Sequence, residues 1–193
     1  MRRTLTRPRY WLPLLTVMLV AAALCWWQPW RPATAIEGTR EATFPAVDTA
    51  GLDPARMQIV EQAHAQFDAR HRGAFYSQGV EEPWCADFVS WVMNAAGQPL
   101  TNPNSGSWRI PGVATLQEFY EAAGRFQPVG AYRPRVGDVV LYGEPSPFGQ
   151  HTNIVLGYDD GVLTTVGGNE DRGVSVHRFP LAGDPGVLGF GTL

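Results

Sequence analysis

Residues 84–97 read WCADFVSWVMNAAG, and the organisation of the chain follows from this stretch. Cys85, Phe88, Val89, Val92 and Ala96 recur at helical spacing and make one apolar stripe, and Gly97 supplies a stop. The spacing predicts a helix opening near Trp84-Cys85, with Cys85 in its first turn on the face turned into the protein. A thiol placed there meets the positive end of the helix macrodipole, which favours thiolate over thiol. The unpaired first-turn amides point the same way and suit an oxyanion. Glu81 and Glu82 act against that polarity.

Upstream, Leu52-Asp53-Pro54 reads as a helix start, with Asp53 as N-cap and Pro54 at the first helical position. Met57, Val60, Ala63, His64 and Phe67 continue at helical spacing, so a helix is expected over residues 54–70, followed by a loop from His71 to Pro83. A shorter helix is expected over Val113 to Ala123. After Gly130 the pattern turns to alternation and turns. Asp138–Tyr142, Thr152–Tyr158, Val162–Val166 and Gly173–Phe179 read as strands, with Asp159-Asp160-Gly161 as a hairpin turn. Helices first and an antiparallel meander second make an α+β fold.

The chain has 193 residues, a net charge of −3 and 45% hydrophobic residues, enough for one domain with a real core. Nothing in it builds the basic stripe that nucleic acid requires. Arg2, Arg3, Arg7 and Arg9 precede an uncharged apolar run over residues 10–27. Residues 1–35 are therefore expected to be a signal peptide or an N-terminal apolar helix anchoring the chain in a membrane. Both place the remainder outside the cytoplasm. Residues 36–51 read as a tether and 52–193 as the working domain. Cys25 falls in the apolar run, so Cys85 is the one thiol of that domain and forms no internal disulfide. Such a thiol is either buried and inert or chemically employed.

Of four histidines, His64 and His71 read as structural or exposed, and His177 sits in a strand pattern with no obvious partner. His151 opens a strand, where its side chain can face a groove. The hairpin that follows brings a polar group to it in either of two registers. A three-residue turn sets His151 opposite Asn169, and a two-residue Asp160-Gly161 turn sets it opposite Glu170. Both remain open at this level. No cluster with metal-ligand spacing occurs, and neither metal nor cofactor is called for.

These blocks carry a resemblance. Pro83-Trp84-Cys85-Ala86-Asp87-Phe88-Val89-Ser90-Trp91, Gly137-Asp138-Val139-Val140-Leu141-Tyr142, Gly149-Gln150-His151-Thr152-Asn153-Ile154-Val155 and Val166-Gly167-Gly168-Asn169 stand in order along the chain. From Asp53 to Phe179 the chain resembles the CHAP family of cysteine, histidine-dependent amidohydrolases and peptidases, related to papain-like and NlpC/P60 folds. The resemblance implies that Cys85 is the nucleophile, His151 the general base and Asn169 the orienting third member. Many members carry a glutamate two residues before the asparagine, where this chain has Gly167. It further implies a monomeric peptidoglycan hydrolase, cutting the N-acetylmuramoyl-L-alanine amide or a peptide bond of the stem or bridge. A donor for the oxyanion is expected from Tyr76 or Gln78. The competing class is a catalytically idle cell-wall-binding module of the same fold.

Overall fold

The computed structural model describes residues 38–171 and 173–193, so the expected signal or anchor segment lies outside the described residues. Among the described residues no helix is long and apolar enough to cross a membrane. The first strand, β1 (Thr39–Glu41), lies within the stretch read as a tether. It is built into the sheet by antiparallel pairing with β6 (Gly173–Pro180).

Helix α1 (Pro54–Ala69) begins as its sequence dictates. Asp53 caps it, accepting from the Arg56 amide at 3.0 Å, with Pro54 inside the first turn. Its buried face runs through Arg56, Ile59, Val60, Ala63 and Gln66. The expected stripe was out of phase at two positions. Met57 is 39% exposed, and His64 stacks on Phe44 at 4.3 Å between ring centroids. The phase is set by Arg56, a charged residue the apolar pattern passes over. Its guanidinium reaches the fully buried Asp138 at 2.9 Å. A short helix, α2 (Gly73–Tyr76), interrupts the segment expected as loop.

Helix α3 (Cys85–Ala95) buries its whole predicted stripe, and Gly97 ends it in the left-handed region at φ 74°. Helix α4 (Val113–Ala122) follows. The remaining strands are β2 (Phe126–Pro128), β3 (Val139–Tyr142), β4 (His151–Asp159), β5 (Val162–Glu170) and β7 (Val187–Gly191). All pairings are antiparallel, in the order β1-β6-β5-β4-β3-β7-β2. The four predicted strands are the centre of this sheet. The three missed strands are short or rich in glycine and sit at its flanks.

Alternation along the strands divides the core in two. Val139, Leu141, Ile154, Leu156, Val166 and Val176 pack with Phe88, Val89 and Val92 of α3. Val140, Tyr142, Val155, Leu163, Phe179 and Phe190 form a second cluster, covered by Tyr132, Phe148 and Leu181. The helical layer is locked to the sheet by Asp138. Besides Arg56, it accepts from the Tyr132 hydroxyl and the Arg135 amide, each at 2.8 Å.

Candidate active site

Cys85 takes its place from the close approach of α3 to β5. A Cβ at Gly168 would lie 2.5 Å from Trp84 and 2.6 Å from Phe88, so only glycine lets the first turn of the helix settle there. The amide of Phe88 bonds the Trp84 carbonyl, and no side chain caps the helix. The amides of Cys85, Ala86 and Asp87 precede the first intrahelical donor and are free of that ladder.

A buried ion pair holds the start of this helix. Asp87 is fully buried, and Arg109 Nε stands 2.7 Å from its carboxylate while also engaging Glu82. The Arg109–Asp87 contact is close enough for an ion pair but lacks the alignment of a hydrogen bond. Burial pushes the Asp87 carboxyl up to about 6; Arg109 opposes this and Glu82 adds to it.

His151 opens β4 and is 6% exposed, beside a Cys85 that is 5% exposed. Its ring lies parallel to Phe148 at 5.4 Å, tilted by 6°. Nε2 meets Glu170 Oε1 at 2.8 Å, and the Cys85 side chain is a neighbour that favours the charged ring. With Nε2 committed to Glu170, Nδ1 is the nitrogen left for the sulfur. Burial alone would discharge this ring. The neighbouring Cys85 and then the bond to Glu170, together with the charge each can carry, outweigh burial and push His151 up to about 10. For Glu170, burial opposes ionisation, but the bond from His151 and the nearness of the His177 ring, with the charge each can carry, hold the carboxyl down to about 2.

The group joined to His151 is Glu170, and Asn169 is exposed. Two irregularities of the strands produce this. The β4–β5 turn is the two-residue form, with Asp159 opposite Val162 and positive φ at Asp160 and Gly161. An irregularity between Val155 and Gly157 then shifts the register, so that Ile154 pairs with Val166. Continued regularly, that register would set His151 against Asn169. It is not continued. Gly167 pairs with Ser175 and Glu170 with Gly173, so Gly168-Asn169 bulges, with Asn169 at φ 63°. The bulge turns Glu170 onto the face of Gly167. A Cβ on Gly167 would collide with Asn153 and lie 2.6 Å from Glu170 Oε1. The missing side chain at 167 is the space the Glu170 carboxylate uses.

The remaining expectations divide. Tyr76 is fully buried, stacked on Trp84 at 5.2 Å, and its hydroxyl is directed to Gln66 at 3.4 Å. Gln78 is exposed at φ 58°. His71 stacks on Phe75 at 3.8 Å. His177, without an evident partner in sequence, lies against Glu170 Oε2 at 3.3 Å. Its alternation with Ser175 on one strand was the available signal, but only the bulge shows what they share. Two clefts, of about 550 and 510 Å³, border Glu41, and neither is lined by Cys85 or His151.

The domain is α+β, with a buried cysteine at a helix start and a buried histidine–glutamate pair on the sheet. Residues 76–169 match the CHAP domain, and this stretch of the chain is a CHAP domain. Among solved structures it is similar to "The crystal structure of Ly7917", with 17% identity and a TM-score of 0.48. It is also similar to "The crystal structure of Ly7917 with the hydrolyzing product of MDP", with 18% identity and a TM-score of 0.47. In both, 71% of this chain is covered, and the chain spans 62% of the length of the other. No curated protein matches the chain.

Proposed function

We propose that this protein is a peptidoglycan hydrolase that cleaves an amide bond through a cysteine acyl-enzyme, in the papain-like manner. The observation that carries the reading is the bond of the buried His151 ring to Glu170, with the buried thiol of Cys85 at the helix start as its neighbour. The CHAP domain over residues 76–169 supports the substrate class.

In the reaction, His151 Nδ1 takes the Cys85 proton and the sulfur attacks the carbonyl carbon of the amide. The oxyanion so formed is received by the free amides at the start of α3. The imidazolium returns its proton to the departing amine as the C–N bond breaks, leaving a thioester. Water, deprotonated by His151, then releases the acyl group as a carboxylate and restores the thiol. Glu170, in the place that the family resemblance gives to Asn169, fixes the tautomer and balances the charge of His151. The bond is the N-acetylmuramoyl-L-alanine amide or a peptide bond of the stem or bridge. Work on such a substrate places the domain outside the cytoplasm.

Purified peptidoglycan digested with the wild type and with Cys85→Ala, followed by mass analysis of soluble products, tests this reading. The expected result is fragments with a new amine and a new carboxylate from the wild type only. Absence of fragments from a folded wild-type protein leaves the binding module.

A further inference from the structure

Glu170 faces two histidines, and the reaction above employs one. Its Oε1 binds His151, while Oε2 meets Ser175 Oγ at 2.5 Å and His177 Nε2 at 3.3 Å. Ser175 Oγ and His177 Nε2 are themselves 2.9 Å apart. Glu170 is 3% exposed, His177 1% and Ser175 fully buried, so water does not compete for these bonds.

Proton counting fixes the directions. An ionised carboxylate only accepts, and a serine has one hydrogen to give. Ser175 gives it to Glu170, so its lone pair receives the hydrogen of His177 Nε2. The chain then runs from His177 Nε2–H to Ser175 Oγ and from Ser175 O–H to Glu170 Oε2. On the other oxygen, His151 Nε2–H meets Oε1. His177 Nδ1 has no partner among the described residues. Phe148 bridges the two imidazoles, stacked on His151 and edge-on to His177 at 6.0 Å. In register, His177 is flanked by Thr165 and Arg40, and the Arg40 side chain is taken by Asp171 at 2.7 Å. Glu170 is thus the charged group that His177 addresses, by way of Ser175.

We propose that His177, acting through Ser175, is a positioning residue for the hydrolysis. It holds the Glu170 carboxylate at the angle that keeps His151 turned towards Cys85. This inference rests on the function proposed above. The glutamate reaches the site from a bulge, and a carboxylate arriving on a distorted strand needs a second anchor if its orientation is to be single-valued.

The test compares His177→Leu, His177→Gln and Ser175→Ala in the full chain. Glutamine keeps an N–H donor towards Ser175, whereas leucine keeps none. Two readouts are taken: iodoacetamide alkylation of Cys85 against pH, followed by peptide mass, and kcat and KM on soluble muropeptides. The leucine and alanine variants are expected to lose about tenfold in kcat with KM within about twofold, and to alkylate about tenfold more slowly at pH 6. Glutamine is expected to recover most of both. Leucine and alanine variants that melt cooperatively and keep the wild-type alkylation profile overturn the proposal. So does a glutamine variant no better than leucine. If the leucine variant does not fold, Ser175→Ala decides alone. A wild type that alkylates rapidly at pH 6 but releases no muropeptide refutes the substrate reading and leaves the positioning role to be judged on alkylation.

Discussion

His151 Nε2 and Glu170 Oε1 stand 2.8 Å apart because a two-residue bulge at Gly168-Asn169 turns the strand over just before the glutamate. The asparagine that the family resemblance singles out faces solvent at the point where the strand turns.

Substitution at these two adjacent positions should therefore have unequal effects. Glu170→Gln removes the charge opposite the His151 ring and is expected to lower kcat at least about tenfold. Asn169→Ala leaves the ring's bond intact and should stay within about threefold, with a modest loss of Tm from the left-handed backbone. Rates on soluble muropeptides check both. Equal losses would return the third role to Asn169.

Gly167, just before the bulge, and Gly168, within it, carry steric demands of different kinds. Gly168→Ala presses on Trp84 and Phe88 and so on the turn that bears Cys85. Gly167→Ala presses on Asn153 and the Glu170 carboxylate. Each is expected to cost about 1–3 kcal/mol of stability by urea denaturation. Activity per folded molecule should fall in both, since each neighbour is part of the site.

Arg109 offers a test of the start of α3. Arg109→Ala leaves Asp87 buried without its ion pair, at an expected cost of about 3–5 kcal/mol. Asp87 also gives the fold a pH slope. Its folded value, about 6, lies above the ordinary 3.8. The protonated form is therefore favoured by folding, and this contribution, complete below about pH 4, is lost as pH rises through 6. Stability measured from pH 4 to 7 should show that decline in the wild type and lose it in Asp87→Asn.

For the His151–Glu170 pair the signs are opposite to one another. His151, raised from 6.5 to about 10, contributes fully below pH 6.5 and loses its contribution as pH rises through 10. Glu170, lowered from 4.5 to about 2, contributes above pH 4.5 and loses its contribution as pH falls through 2. Ring nitrogen NMR should find His151 protonated at pH 8. In Cys85→Ala, which removes the first of the groups that raise it, the ring should titrate at a lower pH.

The helix of Cys85 was legible because its apolar stripe, its glycine stop and its lone thiol agree on one geometry. The central strands were legible because alternation survives in Val139–Tyr142 and through most of β4 and β5. Strand β1 was hidden in Thr39–Glu41, too short and too polar to carry a period. Strand β7 was hidden by its glycines. The site was half legible. Cys85 and His151 stand at element starts, where a side chain's direction follows from the element. The partner of His151 depended on counting along two strands, and one bulge in that count exchanges Asn169 for Glu170. Bulges arise from packing across the sheet, here from the small residues Gly167 and Gly168, and leave little mark on a local pattern. His177 was missed for the same reason.

Everything catalytic here depends on the Cys85 sulfur reacting as one partner of His151. The direct measurement is the rate at which iodoacetamide modifies Cys85 at pH 5.5, read by peptide mass in the wild type and in His151→Ala. The wild type should be modified rapidly at this acidity, where an unassisted thiol is almost inert, and loss of the imidazole should slow it at least about tenfold. A folded wild type that resists modification at pH 5.5, or a His151→Ala variant that reacts as fast, contradicts the account.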